Sequence, residues 1–390
     1  MKLTDIELKK SGHNLRGLLN DLKRRPEDAA KELGFNVKDI EDYISGTKSI
    51  PSEFIRIACN KWPINERDFF VIRDDCPSGL KIMRSSESSR SSRIMERAGK
   101  PYYEYRDTVI TSSTTFRPEW IEELCIVEDN DPENKSVQWN NGHFMHQFTY
   151  FIGDVNYYYK DELGKKCVSE MSTGDSCYIT PFVPHSFTTR AGASKPGLIL
   201  ALTFGSSLSG DAQQELAAIS NPITASEFAL DFTSYEKGVG SLIKYFRTSF
   251  SISLEELSKR SKISENKLQD IEDGSFSTLD ELKKISHAMN INLRDILSND
   301  KIESSTIIQK YDEGMRWNIG KHAYEIVELA NSSALPYARS LEISVTSDNN
   351  HDDLDQNIGL HQYIYNVGDS ELIINLENGK EKISPGDSCY

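Results

Sequence analysis

The stretch PEDAAKELGFNVKDIEDYISG at residues 26–46 returns without gaps as LEELSKRSKISENKLQDIEDG at residues 254–274. At the constant offset between the copies, the apolar Ile40 aligns with the apolar Leu268. Each copy reads as a short helix, a three-residue turn and a second amphipathic helix that ends at a glycine. The repeat therefore predicts two helix-turn-helix units.

A second repeat follows each helical unit. HQFTYFIGD at residues 146–154 returns as HQYIYNVGD at 361–369, and STGDSCY at 172–178 returns as SPGDSCY at 384–390. Between these landmarks, apolar and aromatic residues alternate around a polar turn, which is typical of antiparallel strands joined by hairpins. This pattern predicts a small β-barrel after each helical unit.

The two repeats together predict an α+β fold built as a tandem of helix-turn-helix unit and barrel. The sequence ends at Tyr390, inside the motif that continues in the first copy as ITPFVPHSF, so we expect the second barrel to be incomplete at its C-terminus. Whether that end is natural or a truncation is left open. We assign a helical domain to residues 1–75, a linker to 76–92, a barrel to 93–225, a second helical domain to 226–300 and the second barrel to 301–390.

Composition excludes several classes of protein. The 390 residues include 45 basic and 60 acidic side chains, and the net charge of -15 opposes any general attraction to nucleic acid. No apolar run approaches the ~20 residues that a membrane span needs, and the start lacks the apolar core of a signal peptide. The six cysteines show no CxxC spacing, so neither a disulfide framework nor a zinc knuckle is indicated. We expect a cytoplasmic protein.

The first barrel carries a motif that is typical of metal-binding barrels. The pattern G-D-x5-P-x2-P-H runs from Gly174 to His185, and His143 lies upstream of it. This pattern resembles the cupin family over roughly residues 105–210, which implies a double-stranded β-helix that holds a divalent metal inside the barrel. Two histidines and one further donor leave open positions on iron for a substrate and dioxygen.

The spacing of the candidate ligands sets a condition on the backbone. His143 and Gln147 would lie about 13 Å apart on a straight strand. Both reach one metal only if the strand bends or begins after a loop, and Gly142 makes such a loop plausible. His146 has the opposite parity, so we expect it to point outward or into packing.

The second barrel lacks this ligand set. Ile358 occupies the position of His143 there, whereas Gln362 matches Gln147. We therefore expect the second, cupin-like barrel to be free of metal.

A cupin joined to a helix-turn-helix unit, with both duplicated, resembles the phosphonate-modifying non-haem iron enzymes. These include 2-hydroxyethylphosphonate dioxygenase, methylphosphonate synthase and hydroxypropylphosphonate epoxidase, and the resemblance covers essentially the whole chain. It implies Fe(II) as the cofactor, held by His143, Gln147 and His185. In the dioxygenase branch a carboxylate ligand lies six residues before the second histidine, where this chain has Ile179. Gln147 together with Ile179 resembles the synthase branch instead.

The resemblance also implies which residues bind the substrate. An Asn three residues before the first histidine matches Asn140, and an Arg and a Tyr eight residues apart match Arg97 and Tyr105. An early helical Lys matches Lys23, which together with Gln147 is assigned a catalytic role. These groups donate hydrogen bonds that suit the acceptor oxygens of a phosphonate. Because Arg24 and Arg25 follow Lys23, a solvated basic run is the alternative for that lysine.

The reaction implied is oxidative carbon–carbon cleavage of 2-hydroxyethylphosphonate with dioxygen, which yields methylphosphonate and carbon dioxide or bicarbonate. The substrate supplies all the electrons, so neither 2-oxoglutarate nor an external reductant is expected. The alternative within the family is the dioxygenase reaction, which yields hydroxymethylphosphonate and formate.

Two alternatives lie outside that family. One is a cupin without redox chemistry, such as an isomerase or a storage protein. The other is a transcriptional regulator, since helix-turn-helix plus cupin is also the layout of regulators that sense small molecules. The candidate recognition helices are acidic and repel phosphate, with Lys38 and Lys267 set among Asp39, Glu41, Asp42, Glu265, Asp270, Glu272 and Asp273. We expect no nucleic-acid or membrane partner, and a homo-oligomer is left open.

Overall fold

The structure is a computed structural model, and the chain groups into two compact units. One unit comprises Met1–Arg84, Val109–Thr115 and His361–Tyr390, and the other comprises Ser85–Thr108 and Phe116–Leu360. The five consecutive segments drawn from the sequence stay a prediction. The residues described are 4–71, 74–114, 116–143, 145–205, 230–231, 234–298, 304–319, 323–333, 335, 338–346, 360–376 and 379–390.

Helices occupy the N-terminal part of the first unit. They are α1 (Asp5–Asp21), α2 (Pro26–Leu33), α3 (Val37–Ser45) and α4 (Ser52–Lys61), followed by a 3-10 turn at Glu66–Phe69. A capping box at Thr4 starts α1, and a proline starts α2, because a missing N–H costs nothing in the first turn. Their shared core includes Leu15, Ile40 and Phe54, all fully buried.

The segment predicted as a linker, residues 76–92, has regular structure. It contains strand β1 (Ile82–Met83) and a short helix α5 (Ser85–Arg90). Several of its serine hydroxyls donate to backbone carbonyls, since Ser88 Oγ donates to Asp107 O at 2.7 Å and Ser89 Oγ donates to Ser85 O at 2.9 Å. The polar composition of this segment is thus compatible with a short helix.

The strands of the predicted first barrel lie in the second unit. They are β2 (Arg93–Arg97), β3 (Lys100–Asp107), β4 (Arg117–Glu123), β5 (Ile126–Val127), β6 (His146–Ile152), β7 (Val155–Lys160), β8 (Lys166–Met171), β9 (Ser176–Ile179), β10 (His185–Arg190) and β11 (Gly197–Phe204). The hairpin predicted between the landmarks of the first copy, with the sequence YYYKDELGKKC at residues 157–167, is formed by β7 and β8.

The second helical segment begins with α6 (Tyr235–Ser249). It continues with α7 (Leu254–Ser261), α8 (Glu265–Glu272) and α9 (Leu279–Met289), and ends with a 3-10 turn at Leu293–Ile296. Ser253, Ser264 and Thr278 cap the last three helices by accepting a backbone N–H. Within the described residues, no helix is both long and apolar enough to cross a membrane.

The remaining strands follow α9. They are β12 (Thr306–Gln309), β13 (Arg316–Ile319), β14 (Tyr324–Glu328), β15 (Leu341–Val345), β16 (Ile364–Tyr365), β17 (Leu372–Leu376), β18 (Gly379–Ile383) and β19 (Ser388–Cys389), with a 3-10 turn at Tyr311–Glu313. Strands β13, β14 and β15 form one sheet, and β19 pairs with β1 and β16 in another. Strands β17 and β18 form the predicted hairpin, and β12 belongs to the larger sheet of the second unit.

Two sheets of the second unit enclose the site region. The larger has the order β12-β9-β6-β11-β4-β3-β2 and the smaller β5-β10-β7-β8, and all pairs are antiparallel except β5 with β10. A core that contains Phe151, Ile199 and Ile121 from one sheet and Tyr157 and Phe187 from the other packs between them. The predicted α+β class is confirmed. Strand β6, which carries Gln147, lies inside the larger sheet between β9 and β11.

Candidate metal centre

The structure brings His143, Gln147 and His185 together. Gln147 is the second residue of β6, His185 is the first residue of β10, and His143 precedes β6. The imidazole rings of the two histidines are 5.2 Å apart between centroids, and His143 Nε2 lies 2.9 Å from Gln147 Oε1. Two imidazoles and one amide therefore lie close together between the two sheets.

A loop brings His143 back toward Gln147. Strand β6 begins only at His146, and Gly142 has a left-handed backbone with φ +75°. This arrangement replaces the separation of about 13 Å expected on a straight strand. His146 instead packs in a stacked arrangement on Phe204, as its parity predicted.

Backbone carbonyls fix the tautomer of both histidines. His143 Nδ1 lies 2.6 Å from Met145 O, and His185 Nδ1 lies 2.8 Å from Val183 O. A carbonyl only accepts, so each Nδ1 carries a proton, and in the neutral ring Nε2 has the lone pair that a metal needs. Burial lowers the pKa of His185 to about 4, which keeps that ring neutral at pH 7.

The contact between His143 and Gln147 fits a bound cation. Gln147 Nε2 donates to Thr149 Oγ1 at 2.8 Å, so its Oε1 faces the unprotonated Nε2 of His143. Two acceptors 2.9 Å apart repel unless a proton or a metal cation lies between them. Ligand atoms about 2.1 Å from a metal at neighbouring octahedral positions lie about 3 Å apart. The donor set therefore accommodates a divalent metal, and two imidazoles with one oxygen suit iron.

Ile179 lies beside this site and offers no ligand atom. It is fully buried and is the register partner of Gln147 across β6 and β9. The part of the chain that the structure describes contains no group of three His, Cys, Asp or Glu side chains able to hold a metal. The amide of Gln147 is the third candidate donor beside the two histidines.

Asn140 joins the two ligand-bearing loops. Its Oδ1 accepts from the backbone N–H of Gly142 at 2.8 Å and of His185 at 2.9 Å. Both bonds use the amide oxygen, which assigns the orientation of this side chain and leaves Nδ2 as a donor. The predicted substrate contact of Asn140 is thus compatible with a second role that holds the loops in register.

Comparison with known proteins identifies the family. No model of a protein family matches the chain. The methylphosphonate synthase of Nitrosopumilus maritimus (strain SCM1) is 53% identical over 392 residues, which cover 99% of this chain and 85% of that protein. The chain belongs to the methylphosphonate synthase family. This confirms both the predicted resemblance and the prediction of a non-haem iron enzyme.

Solved structures agree with this assignment. Streptomyces albus HEPD, solved with 2-hydroxyethylphosphonate and Fe(II) bound, matches with a TM-score of 0.87 and 36% identity, covering 99% of this chain and 87% of that one. Native PhpD with cadmium matches with a TM-score of 0.71 and 18% identity over 97% of this chain and 88% of that one, which shows the fold alone.

Arg97 and Tyr105 lie on neighbouring strands of this synthase-family fold. Arg97 Nη1 donates to Gln138 O at 2.7 Å, and the guanidinium lies 4.9 Å from the ring centroid of Tyr103. Tyr105 lines a cavity of about 640 Å³ together with Glu119. The charge of Arg97 adds to the lowering of the His185 pKa, so the guanidinium is close to a ligand histidine.

Lys23, which matches the family's early helical lysine, lies in the other compact unit. Its role in substrate binding stays a prediction. It is exposed, has φ +57° and follows α1. Its neighbours are paired, since Arg24 bonds to Glu32 at 2.8 Å and Arg25 bonds to Asp28 at 3.1 Å. Among the described residues, Lys23 has no such ion pair. Ile358, the predicted counterpart of His143, lies outside the described residues.

Sequence reasoning missed two buried polar groups of the second unit. Thr149 orients the ligand amide, and its only signal was its place two residues after Gln147 on the same strand face. Glu123 is fully buried, and neither of its carboxyl oxygens has a hydrogen-bond partner within the described residues. Burial raises the pKa of this carboxyl well above its usual range, although the charge of Arg97 opposes the rise.

Proposed function

We propose that the chain converts 2-hydroxyethylphosphonate and dioxygen into methylphosphonate and carbon dioxide or bicarbonate, with Fe(II) held by His143, Gln147 and His185. The observation that carries this proposal is the pairing of Gln147 with Ile179, which puts an amide in the site and an alkyl group beside it. The 53% identity with a methylphosphonate synthase supports the same product. The two sheets around the site are proposed to form the cupin barrel, and the C-terminal strands to belong to a second, cupin-like copy.

The residues of the site are proposed to bind either the metal or the substrate. His143, His185 and Gln147 hold the metal, which supplies coordination positions for substrate oxygens and dioxygen when it is bound. Asn140 Nδ2, the Arg97 guanidinium and the Tyr105 hydroxyl are proposed to donate to the phosphonate oxygens. Lys23 is proposed as a further cation for the substrate, from its own or a neighbouring subunit. Burial of Gln147 and His185 keeps bulk water from the ligand atoms.

The dioxygenase reaction is the second candidate, because the chain is also 36% identical to a HEPD solved with the same substrate class bound. That reaction gives hydroxymethylphosphonate and formate. A neutral Gln147 leaves the site more positive than a carboxylate does, which we propose tightens binding of anions and favours oxidation of formate over its release.

The test identifies the phosphonate product of the reaction. The purified chain is reconstituted anaerobically with Fe(II), mixed with 2-hydroxyethylphosphonate and air, and followed by phosphorus NMR. We expect a methylphosphonate signal, whereas hydroxymethylphosphonate would establish the dioxygenase reaction instead. A folded, iron-loaded sample without turnover would refute both. Gln147→Glu is expected to lower the methylphosphonate yield, and an unchanged yield would refute the argument from ligand charge.

Arg97 offers a test of the phosphonate contact. Arg97→Lys keeps the charge but loses the planar fork, so we expect KM for the phosphonate to rise about 10-fold while kcat changes less. Arg106→Lys is the matched control, because Arg106 lies on the same sheet and stacks on Trp120 at 3.9 Å instead. Equal KM values for the two variants would place the phosphonate elsewhere.

We also propose that the helical units do not bind DNA. In the first unit Lys48 is neutralised by Asp39 at 3.0 Å and Asp42 at 2.7 Å, so the end of α3 offers little free positive charge. Retention on heparin at moderate salt would contradict this proposal.

A further inference from the structure

Gln147 depends on one neighbour for its orientation. Thr149 lies two residues along β6, so both side chains stand on the same face of the sheet. Gln147 Nε2 donates to Thr149 Oγ1 at 2.8 Å, and the exposed fractions are 4% for Gln147 and 2% for Thr149. In a site this buried, no solvent replaces that hydrogen bond.

The Thr149 hydroxyl can accept the amide N–H whichever way its own proton points. A hydroxyl oxygen has two lone pairs, and one of them accepts the Gln147 N–H. Thr149 is also the register partner of the fully buried Cys177 on β9, so this hydrogen bond lies in the interior of the sheet.

An amide needs orientation in a way that a carboxylate does not. Only one end of the glutamine amide is a metal ligand, whereas the two oxygens of a carboxylate are equivalent. If the Gln147 amide turned over, its Nε2 would donate to the lone pair of His143 Nε2. That single hydrogen bond would remove two of the three ligand atoms from the metal.

We propose that Thr149 is a positioning residue that makes glutamine usable as a metal ligand at position 147. It accepts the amide N–H and so directs Oε1 toward His143. This inference rests on the metal site of the proposed function, and it adds a requirement that a carboxylate ligand at the same position would not have.

The experiment measures metal affinity without turnover. Co(II) is titrated anaerobically into the apo protein and followed by its visible absorption, with no substrate present. Thr149→Val removes the hydroxyl and keeps the β-branched shape, and we expect the Co(II) affinity to fall about 10- to 100-fold. Thr149→Ser keeps the hydroxyl and is expected to retain most of the affinity.

The decisive comparison repeats Thr149→Val in a Gln147→Glu background. There we expect a much smaller loss, because either carboxylate oxygen can face His143 without help. An equal loss in both backgrounds would show that Thr149 acts through packing and would overturn the inference, and so would an unchanged affinity in the Gln147 background. If Thr149→Val does not fold, as judged by circular dichroism, Thr149→Ala takes its place with the same expectation. Failure of the unsubstituted protein to bind Co(II) would instead refute the metal site itself.

Discussion

Replacing Gly142 by alanine tests how closely the two ligand-bearing loops pack. A Cβ at this position would lie 2.5 Å from the carbonyl carbon of Phe182 and 2.8 Å from the Val183 nitrogen. These are backbone atoms, and Phe182 N–H already donates to His143 O at 2.8 Å, so they have little freedom to move. The left-handed φ of +75° adds about 1 kcal/mol for any residue with a side chain. Overpacking adds about 1–3 kcal/mol, so we expect a loss of about 2–4 kcal/mol.

Gly164→Ala is the matched control for this substitution. Gly164 has φ +78°, and among the described residues no heavy atom lies within 4 Å of its Cβ position. It should therefore show only the backbone cost of about 1 kcal/mol. Urea unfolding of both variants gives the difference in stability, and Co(II) titration shows whether His143 has moved. Equal losses for the two variants, with unchanged Co(II) affinity for Gly142→Ala, would refute the close packing of the loops.

Three further predictions concern charge. The Tm of Glu123→Gln should rise relative to that of the unsubstituted protein as the pH rises from about 4. Folding raises the pKa of the Glu123 carboxyl, so this carboxyl ionises first in the unfolded chain and the unsubstituted protein loses stability. Arg247→Met should lower the free energy of unfolding in urea by about 3–5 kcal/mol. It leaves the buried carboxylate of Glu272 without the guanidinium that lies 2.5 Å from it. Ile179→Glu should restore the Co(II) affinity that Gln147→Val removes, because the register pairing puts positions 179 and 147 on the same face of the sheet.

Each of these has an outcome that contradicts it. A pH-independent difference for Glu123→Gln would mean that the carboxyl does not titrate differently on folding. Arg260→Met, which breaks a half-exposed pair with Glu256, should cost only about 0–1 kcal/mol, and a similar cost for Arg247→Met would argue against a buried pair. No recovery of Co(II) affinity with Ile179→Glu would mean that the two positions do not share one metal.

Local patterns made much of the fold predictable. The period of the apolar residues in 26–46 and 254–274 marked helices that the structure has at those places. Alternation around a polar turn marked the β7–β8 and β17–β18 hairpins in the same way. These features depend on neighbours in the chain, and a single sequence therefore contains them.

Contacts between distant segments were not predictable in the same way. Strand β12 follows the second helical segment, yet it pairs with β9 at the edge of the sheet that carries the site, with Thr306 opposite Ile179. Nothing in a strand pattern states which strand it pairs with, so this pairing could not be predicted from the sequence. Glu123 was missed for a related reason, since burial without a hydrogen-bond partner becomes visible only in the assembled sheets.

The third metal donor can come from either of two neighbouring strands. Gln147 and Ile179 are register partners, so their side chains stand on one face with Cβ atoms about 5 Å apart. A donor at either position approaches His143, and the two histidines need not change. The choice alters charge instead, because a carboxylate carries a negative charge and the amide does not. A site meant for an anionic phosphonate gains from the neutral amide, and the amide in turn requires Thr149, since only one of its two ends can face the metal.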